Sequence, residues 1–365
     1  MKKLYSFIAI GVILLGSCAQ GPTEDESTDV MSSLSTYIPV KLTTDLSQLT
    51  DSEKRMLPHL FAAADIMNDL FWQQAYGDKE QLLESIANPK LRKFAEINYG
   101  PWDRLNDNAP FLENIELKPD GSNIYPHDMK KDEFEELGLP DEKGQYSMVR
   151  RDEVGMIYTI PYNEYFREEL EMASGHLMQA AELCEDEELR HYLELRSKAL
   201  LSNEYDASDI AWINMRNNTL DIIIGPIEHY EDQLYNYRTA YEAYILVKDK
   251  SWSKKLEKYV SYLPQLQADL PVDDAYKQEK PNSDAAQLNA YDVIFYAGDC
   301  NAGSKTIAVN LPNDEQIQVE HGTRRSQLKN AMKAKFDHIL VPIADELITE
   351  EQRKHITFNA FFSNT

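Results

Sequence analysis

Apolar residues recur at helical spacing along much of the chain. Thr50 and Glu53 form a capping-box sequence, and apolar residues follow it at intervals of mostly three and four as far as Phe71. With Gly77 as a stop, this pattern predicts a helix that buries one face. The same criteria predict further helices over Lys79–Ile97 with a break at Asn88-Pro89, Tyr165–Leu201 with a break near Cys184, Asp206–Met215, Trp252–Leu263 and Arg324–Asp345.

Shorter runs of apolar and β-branched residues predict a modest number of strands. Tyr146–Pro161 predicts a hairpin, and Leu220–Ile224 predicts a buried strand that ends at Gly225-Pro226. Further strands are predicted over Asp292–Ala297, Lys305–Leu311 and Gln316–Val319. The fold class that follows is α+β, mostly helical, with a sheet formed from the middle of the chain.

The N-terminus has the organisation of a secretory leader. Two lysines precede the apolar run Leu4–Leu15, which is too short to cross a bilayer, and Cys18 follows Gly16 and Ser17. The segment resembles the lipobox of bacterial lipoproteins, which implies a signal peptide over 1–17 and a lipid on Cys18. An ordinary signal with an accidental cysteine is the less favoured alternative.

The residues after Cys18 are polar and acidic, without periodicity. They predict a disordered tether over 18–36, followed by a folded body from about residue 37. We therefore expect an exported bacterial lipoprotein that is anchored to a membrane on its periplasmic or cell-surface side. The lipid bilayer is the partner expected at Cys18.

Net charge and cysteine content limit the binding partners and the disulfide bonds that can be expected. A formal charge of −25 argues against a nucleic-acid partner, because phosphate neutralisation needs clustered Lys and Arg. The same charge is typical of a solvated acidic surface that keeps an exported protein soluble. Cys184 and Cys300 could form one disulfide in an oxidising compartment, but two unpaired buried thiols are favoured in a domain of this size.

The common catalytic motifs are missing from the sequence. None of the 8 histidines falls in a His-Glu-x-x-His pattern, and there is no Gly-x-Ser-x-Gly elbow. The sequence also lacks an Arg-Glu-x-x-Glu-Glu box, which argues against a Nudix-type hydrolase. The acidic cluster Glu228–Asp232 could belong to a metal or acid–base site, but a solvated turn after Gly225-Pro226 is the favoured interpretation.

Several sequence blocks together resemble one family. They are Tyr99–Arg104, Leu220–Asp232 continuing through Tyr241–Tyr244, Ala297–Gly303, Asn310–Glu315 and Lys333–Phe336. These blocks resemble the dipeptidyl-peptidase III family of zinc exopeptidases, in its shorter bacterial branch, from about Leu49 to the last residue. The resemblance implies two lobes, one mixed with a small β-barrel-like core and one helical that carries zinc. It also implies a peptide substrate from which dipeptides are released at the N-terminus.

The resemblance assigns two substrate-binding residues and places the lobes along the chain. Asn310 and Asn313 match family residues on the strand that pairs with the peptide; for Asn313 a plain β-turn remains an equal alternative. Helical segments and the mixed lobe are expected over 37–323, and the helical zinc lobe is expected to begin at 324–365.

The sequence departs from the family in two ways. Longer relatives carry, near Ile223, a tyrosine that helps stabilise the oxyanion, and the Ile223 side chain cannot donate a hydrogen bond. The His-Glu zinc motif does not occur within residues 1–365, so no catalytic or metal-ligating residue is assigned. We expect the front part of a zinc metallopeptidase, a fragment that is inactive alone, with zinc bound only in the complete protein. The alternative is an exported peptide-binding lipoprotein without catalysis.

Overall fold

The structure, a computed structural model, describes residues 34–277 and 287–364. The predicted leader, Cys18 and the predicted tether as far as residue 33 lie outside the described residues. The unit that begins at Ile38 is the one that carries the fold set out below.

Helices form the larger part of the regular structure in the described ranges. They are α1 Asp51–Ala75, α2 Lys79–Ser85, α3 Pro89–Asn98, α4 Lys131–Leu137, α5 Tyr162–Tyr165, α6 Arg167–Leu183, α7 Glu187–Ser202, α8 Asp206–Asn214, α9 Lys250–Val260, α10 Leu263–Ala268, α11 Glu315–His321, α12 Lys329–Lys335, α13 Val341–Leu347, α14 Glu350–Arg353 and α15 Phe358–Asn364. Short 3-10 turns cover Leu46–Gln48, Asp274–Lys277 and Asp299–Asn301, and a π-helical turn covers Phe336–Leu340.

The strands form two small hairpins and one mixed sheet. They are β1 Trp102–Asp103, β2 Ala109–Pro110, β3 Ser147–Arg151, β4 Ile157–Pro161, β5 Leu220–Glu228, β6 Ala240–Lys248, β7 Gln287–Gly298, β8 Ala308–Leu311 and β9 Arg324–Leu328. The sheet has the order β5-β6-β7-β9-β8, and only the β7–β9 pair is parallel. The predicted α+β class is therefore confirmed.

The first helix and the helix break after it confirm the sequence patterns. The Thr50 hydroxyl accepts from the Glu53 amide at 3.1 Å, and the Glu53 carboxylate accepts from the Thr50 amide at 2.7 Å. This reciprocal cap satisfies two amides that the first turn of α1 would otherwise leave unpaired. Asn88 caps α3, which begins at Pro89, where the missing amide hydrogen costs nothing.

Three predicted elements are wrong in detail. β5 does not end at Gly225-Pro226 but continues to Glu228, because β5 is an edge strand in which a proline is tolerated. Gln316–Val319 is not a strand; it lies in α11, where the Asp314 carboxylate accepts from the Ile317 amide at 2.9 Å and starts the helix. The first five residues of the predicted helix Arg324–Asp345 form β9 instead, since they pair with β7 and β8.

The main core lies between α1, α6 and the sheet. α1 packs against α6 on one side and across β6 and β7 on the other. The fully buried Gln74 fixes this contact, because its amide donates to the Thr239 carbonyl at 3.1 Å and its oxygen accepts from the Tyr241 amide at 2.8 Å. Cys184 and Cys300 are both buried and unpaired, which confirms the favoured interpretation of the two thiols.

A buried ion pair joins β5 to β9 across the inner face of the sheet. Arg324 and Asp221 are both 0% exposed, and the guanidinium donates to the carboxylate at 2.5 Å. The Asp221 carboxylate also accepts from the Trp212 indole at 3.1 Å, and Arg324 donates to the Trp212 carbonyl and the Tyr291 hydroxyl. Both charges are thereby hydrogen-bonded, which is the condition under which a buried charge is tolerated.

We predict that Arg324→Met destabilises the protein by about 3–5 kcal/mol, because the change leaves the Asp221 carboxylate buried and uncompensated. The matched control is Arg325→Met on the same strand, since Arg325 is partly exposed and makes no buried ion pair among the described residues. Urea unfolding of both variants measures the difference. Equal free energies of unfolding for the two variants would show that the buried ion pair contributes no more to stability than an exposed arginine does.

Candidate functional site

Three of the five sequence blocks that carry the family resemblance meet near one end of the sheet. The Arg104 guanidinium donates to the Glu231 carboxylate at 2.8 Å, which joins the first block to the second. The Asn301 amide donates to the Tyr99 hydroxyl at 2.8 Å, which joins the first block to the third. Segments that are 127 and 202 residues apart in sequence therefore share one environment.

Glu231 and Asp232 in the acidic turn after β5 are buried, so the prediction of a solvated turn is wrong for these two residues, whereas Tyr230 between β5 and them is exposed. Glu231 is 1% exposed and lies 2.6 Å from the Lys118 ammonium as well as beside Arg104. Burial alone would raise the pKa of Glu231, but these two cations hold it well below its usual range. Asp232 accepts from the Tyr125 hydroxyl at 2.9 Å, so the turn is held by paired charges and buried hydrogen bonds.

Three carboxylates at this end of the sheet, those of Glu228, Glu242 and Asp299, form no direct ion pair in the described residues. Glu242 on β6 is 1% exposed; Tyr244 donates to one of its oxygens, and the other has no hydrogen-bond partner in the described ranges. Burial, with the charges of Asp299 and Glu228, raises the pKa of Glu242 well above its usual range. Burial and the charge of Glu231 raise the pKa of Asp299 to about 7.

A glycine holds one of these acids in place. Gly298 has φ +72°, and a Cβ on it would lie 2.2 Å from the Tyr241 carbonyl oxygen. Only glycine therefore fits between β6 and the turn that carries Asp299. Sequence analysis missed Glu242 and Asp299; the signal that could have found them is their position inside the blocks of the family resemblance.

β8 is an edge strand, and the two asparagines predicted to bind substrate lie on it and just beyond it. β8 pairs with β9 on one side, and no described strand pairs with its other side. Asn310 is exposed, and its side chain makes no hydrogen bond to any residue that the structure describes. An exposed amide on an unpaired strand edge can donate to and accept from an added chain.

Asn313 connects the two edges of the sheet. Its side-chain amide donates to the Ile227 carbonyl at 2.9 Å and to the Glu228 carboxylate at 3.0 Å. The amide therefore does more than close a local turn, because its partners lie 85 and 86 residues away on β5. This contact also places Asn313 directly beside one of the three carboxylates.

A small cavity separates β5 from the segment that follows β8. Its volume is about 40 Å³, and it is lined by Ile223, Asn313 and the Arg196–Asp209 ion pair, among others. This volume holds about three water molecules, so the cavity alone is too small for a peptide. Ile223 contributes only a hydrocarbon side chain here and can stabilise no oxyanion by hydrogen bonding.

The zinc that the resemblance implies does not fit the residues that are described. Over residues 34–277 and 287–364, no group of three or more His, Cys, Asp or Glu side chains could hold a metal ion. The cluster of Glu228, Glu242 and Asp299 is no such group. A zinc site needs three or four protein ligands around one ion, and we derive no step through the metal here.

A solved structure shares this fold. Dipeptidyl peptidase III from Caldithrix abyssi superposes with a TM-score of 0.85 at 36% sequence identity. The superposition covers 91% of this chain and 65% of that chain.

Two curated proteins show similarity in sequence. Nudix hydrolase 3 of Arabidopsis thaliana is 33% identical over 94% of this chain and 52% of its own length. Dipeptidyl peptidase 3 of Nematostella vectensis is 27% identical over 51% of this chain and 23% of its own length. The chain thus spans about half the length of the first relative and less of the second.

A family profile gives the most direct assignment. The profile of peptidase family M49 matches residues 142–361, which include the β5–β9 sheet, the acidic turn and both asparagines. The match extends over more than half of the 365 residues. The chain therefore belongs to peptidase family M49.

Proposed function

We propose that this chain holds the N-terminal end of an extended peptide for a dipeptidyl peptidase of type III. Two relatives that share its fold or sequence bear that name, and family membership makes a peptide the expected substrate. The observation that carries the proposal is the unpaired edge of β8, together with the contact just beyond it between Asn313 and Glu228, one of three carboxylates that form no direct ion pair in the described residues.

The strand edge would bind the peptide backbone. An extended peptide can add to the free side of β8 through main-chain hydrogen bonds, which depend little on the peptide's sequence. The exposed Asn310 amide adds one donor and one acceptor to this edge. Such binding suits an enzyme that accepts many peptides, because the bond to be cleaved is then selected by its position in the peptide and not by the peptide's side chains.

The carboxylates would recognise the free amino terminus. A peptide's α-amino group has a pKa near 7.7–8.0 and is largely cationic at neutral pH. Burial raises the pKa values of Glu228, Glu242 and Asp299, and the charges of neighbouring carboxylates raise those of Glu242 and Asp299 further. An ammonium group beside these carboxylates would relieve the repulsion between them. Its binding would fix the position of the peptide relative to its N-terminus, as an exopeptidase requires.

Peptide capture without cleavage is the second candidate for the chain taken alone. The observation that favours it is the lack of any three-ligand metal group among residues 34–277 and 287–364. Zinc-dependent hydrolysis belongs to the first candidate and needs metal ligands beyond those found among the described residues. Both candidates require the same peptide contacts at β8.

We predict that Asn310→Ala weakens binding of unblocked tetra-alanine by about 1–3 kcal/mol, because a peptide polar group loses its partner. Thermal stability should change little, since the Asn310 side chain is exposed. For Asn313→Ala we expect losses of both affinity and stability, because this amide also connects the sheet edges. Calorimetric titration and thermal unfolding measure the two quantities side by side.

The control is Gln316→Ala, which removes an exposed amide from α11 without touching the strand edge. The N-acetylated peptide tests the carboxylates and should bind at least about tenfold more weakly. Lost stability with unchanged affinity for Asn313→Ala would assign that residue to the local structure alone. Unchanged affinity in both variants would exclude the proposed peptide site.

We also propose, from the sequence around Cys18, that a lipid anchors the protein to a membrane. The support is the lysine-rich start, the short apolar run and the lipobox-like Leu15-Gly16-Ser17-Cys18. Within the described part of the chain, no helix combines the length and apolarity needed to span a bilayer.

We predict that Cys18→Ser moves the protein from the membrane fraction to the soluble fraction, because the serine hydroxyl takes the place of the thiol that would carry the lipid. Fractionation of cells that express the full chain measures the distribution. The control is Cys184→Ser, which should leave the distribution unchanged. Equal membrane partitioning of Cys18→Ser and the unaltered protein would rule out the anchor.

A further inference from the structure

The other end of the β5–β6 pair carries a cavity of the opposite charge. Its volume is about 630 Å³, and its lining includes four cationic side chains, those of Arg216, Lys248, Lys250 and Lys254. Glu257 is the one carboxylate in that lining. A concentration of cations is unexpected in a chain with 62 acidic and 37 basic residues.

Carboxylates offset the cations of this cavity only in part, since the charge of Glu188 acts on Arg216 and that of Asp221 acts on Lys248. None of the four forms an ion pair with a carboxylate in the described ranges of the chain. Two neighbouring carboxylates are engaged elsewhere, Asp221 with Arg324 and Asp249 with Lys329. The local charge therefore stays positive.

Lys248 is the buried member of the group. It is 6% exposed, and its ammonium donates to the Arg216 carbonyl at 2.9 Å. Burial, together with the positive charges of Arg324, Lys250 and Arg216, lowers the pKa of Lys248 to about 8. A buried ammonium without a carboxylate partner normally marks either an unfavourable site or one that is completed by an anion.

We propose that this cavity binds a small polyanion that carries phosphate groups. Arg and Lys side chains are the groups that hold phosphate oxygens in proteins, and several of them suit a ligand with more than one negative charge. The volume is within the range of small-molecule sites. Lys250 lies in the first turn of α9, an 11-residue helix, and Lys254 begins the next turn; the N-terminal end of a helix also favours anions.

The site is separate from the proposed peptide site. Ala240 and Lys248 lie at opposite ends of β6, which corresponds to about 26 Å at 3.3 Å per residue. Asn313 and Glu228 are at the Ala240 end, since Glu228 pairs with Ala240. The inference therefore rests on different residues and does not depend on peptide binding.

The test is calorimetric titration of the full chain with pyrophosphate at constant ionic strength. We expect saturable binding at one site and a rise in Tm with ligand concentration. The variant Lys250→Glu/Lys254→Glu should lower the affinity at least about tenfold, because both exposed cations become anions. Lys248→Met should weaken binding as well. If that variant does not fold, the affinity of the Lys250→Glu/Lys254→Glu variant decides the test.

The matched control is Lys90→Glu/Lys198→Glu, which makes the same change in net charge at exposed positions outside the cavity. This variant should bind pyrophosphate within about twofold of the unaltered protein, since at constant ionic strength distant charges are screened. Lack of saturable binding, or an equal loss of affinity in the control, would overturn the proposal.

Discussion

Two opposite charges, those of Arg324 and Asp221, meet in the interior of the sheet with no exposure to water. β5 and β9 are three strands apart in the sheet, which corresponds to roughly 14 Å in a flat sheet with strands about 4.8 Å apart. The ion pair can form only if the sheet curls. β9 in turn pairs with β8, so the buried pair indirectly determines where the free strand edge lies.

The curled sheet places opposite charges at the two ends of β6. At one end, Glu228, Glu242 and Asp299 lie together, and Asn313 links the first of them to the edge beyond β8. At the other end, Lys248 and its neighbours line a cavity with a single carboxylate. The net charge of the chain does not reveal this separation of acidic and basic groups. The peptide proposal depends on the acidic end and the polyanion proposal on the basic end, so each can fail without the other.

Local patterns were sufficient for most helices but not for the path of the sheet. The capping box at Thr50 and the break at Pro89 act within one turn of helix, and both were predictable. The local pattern predicts a helix at Arg324. The residue lies in a strand instead, and its burial depends on Asp221, which is 103 residues away in sequence and which no local pattern reveals. The acidic turn looked solvated for the same reason, since its partner Arg104 lies 127 residues from Glu231. For the site, the resemblance pointed to the two asparagines and the sequence singled out the cluster that contains Glu228, whereas Glu242 and Asp299 became evident only from their place in the fold.

Hydrogen exchange of the β8 amides with and without a bound peptide tests the central claim most directly. If an unblocked peptide pairs with the free edge, amides of Ala308–Leu311 that face away from β9 gain protection, whereas those of β5 do not. The N-acetylated peptide should protect the same amides more weakly at equal concentration. Tight binding of the unblocked peptide without added protection in β8 would contradict the account.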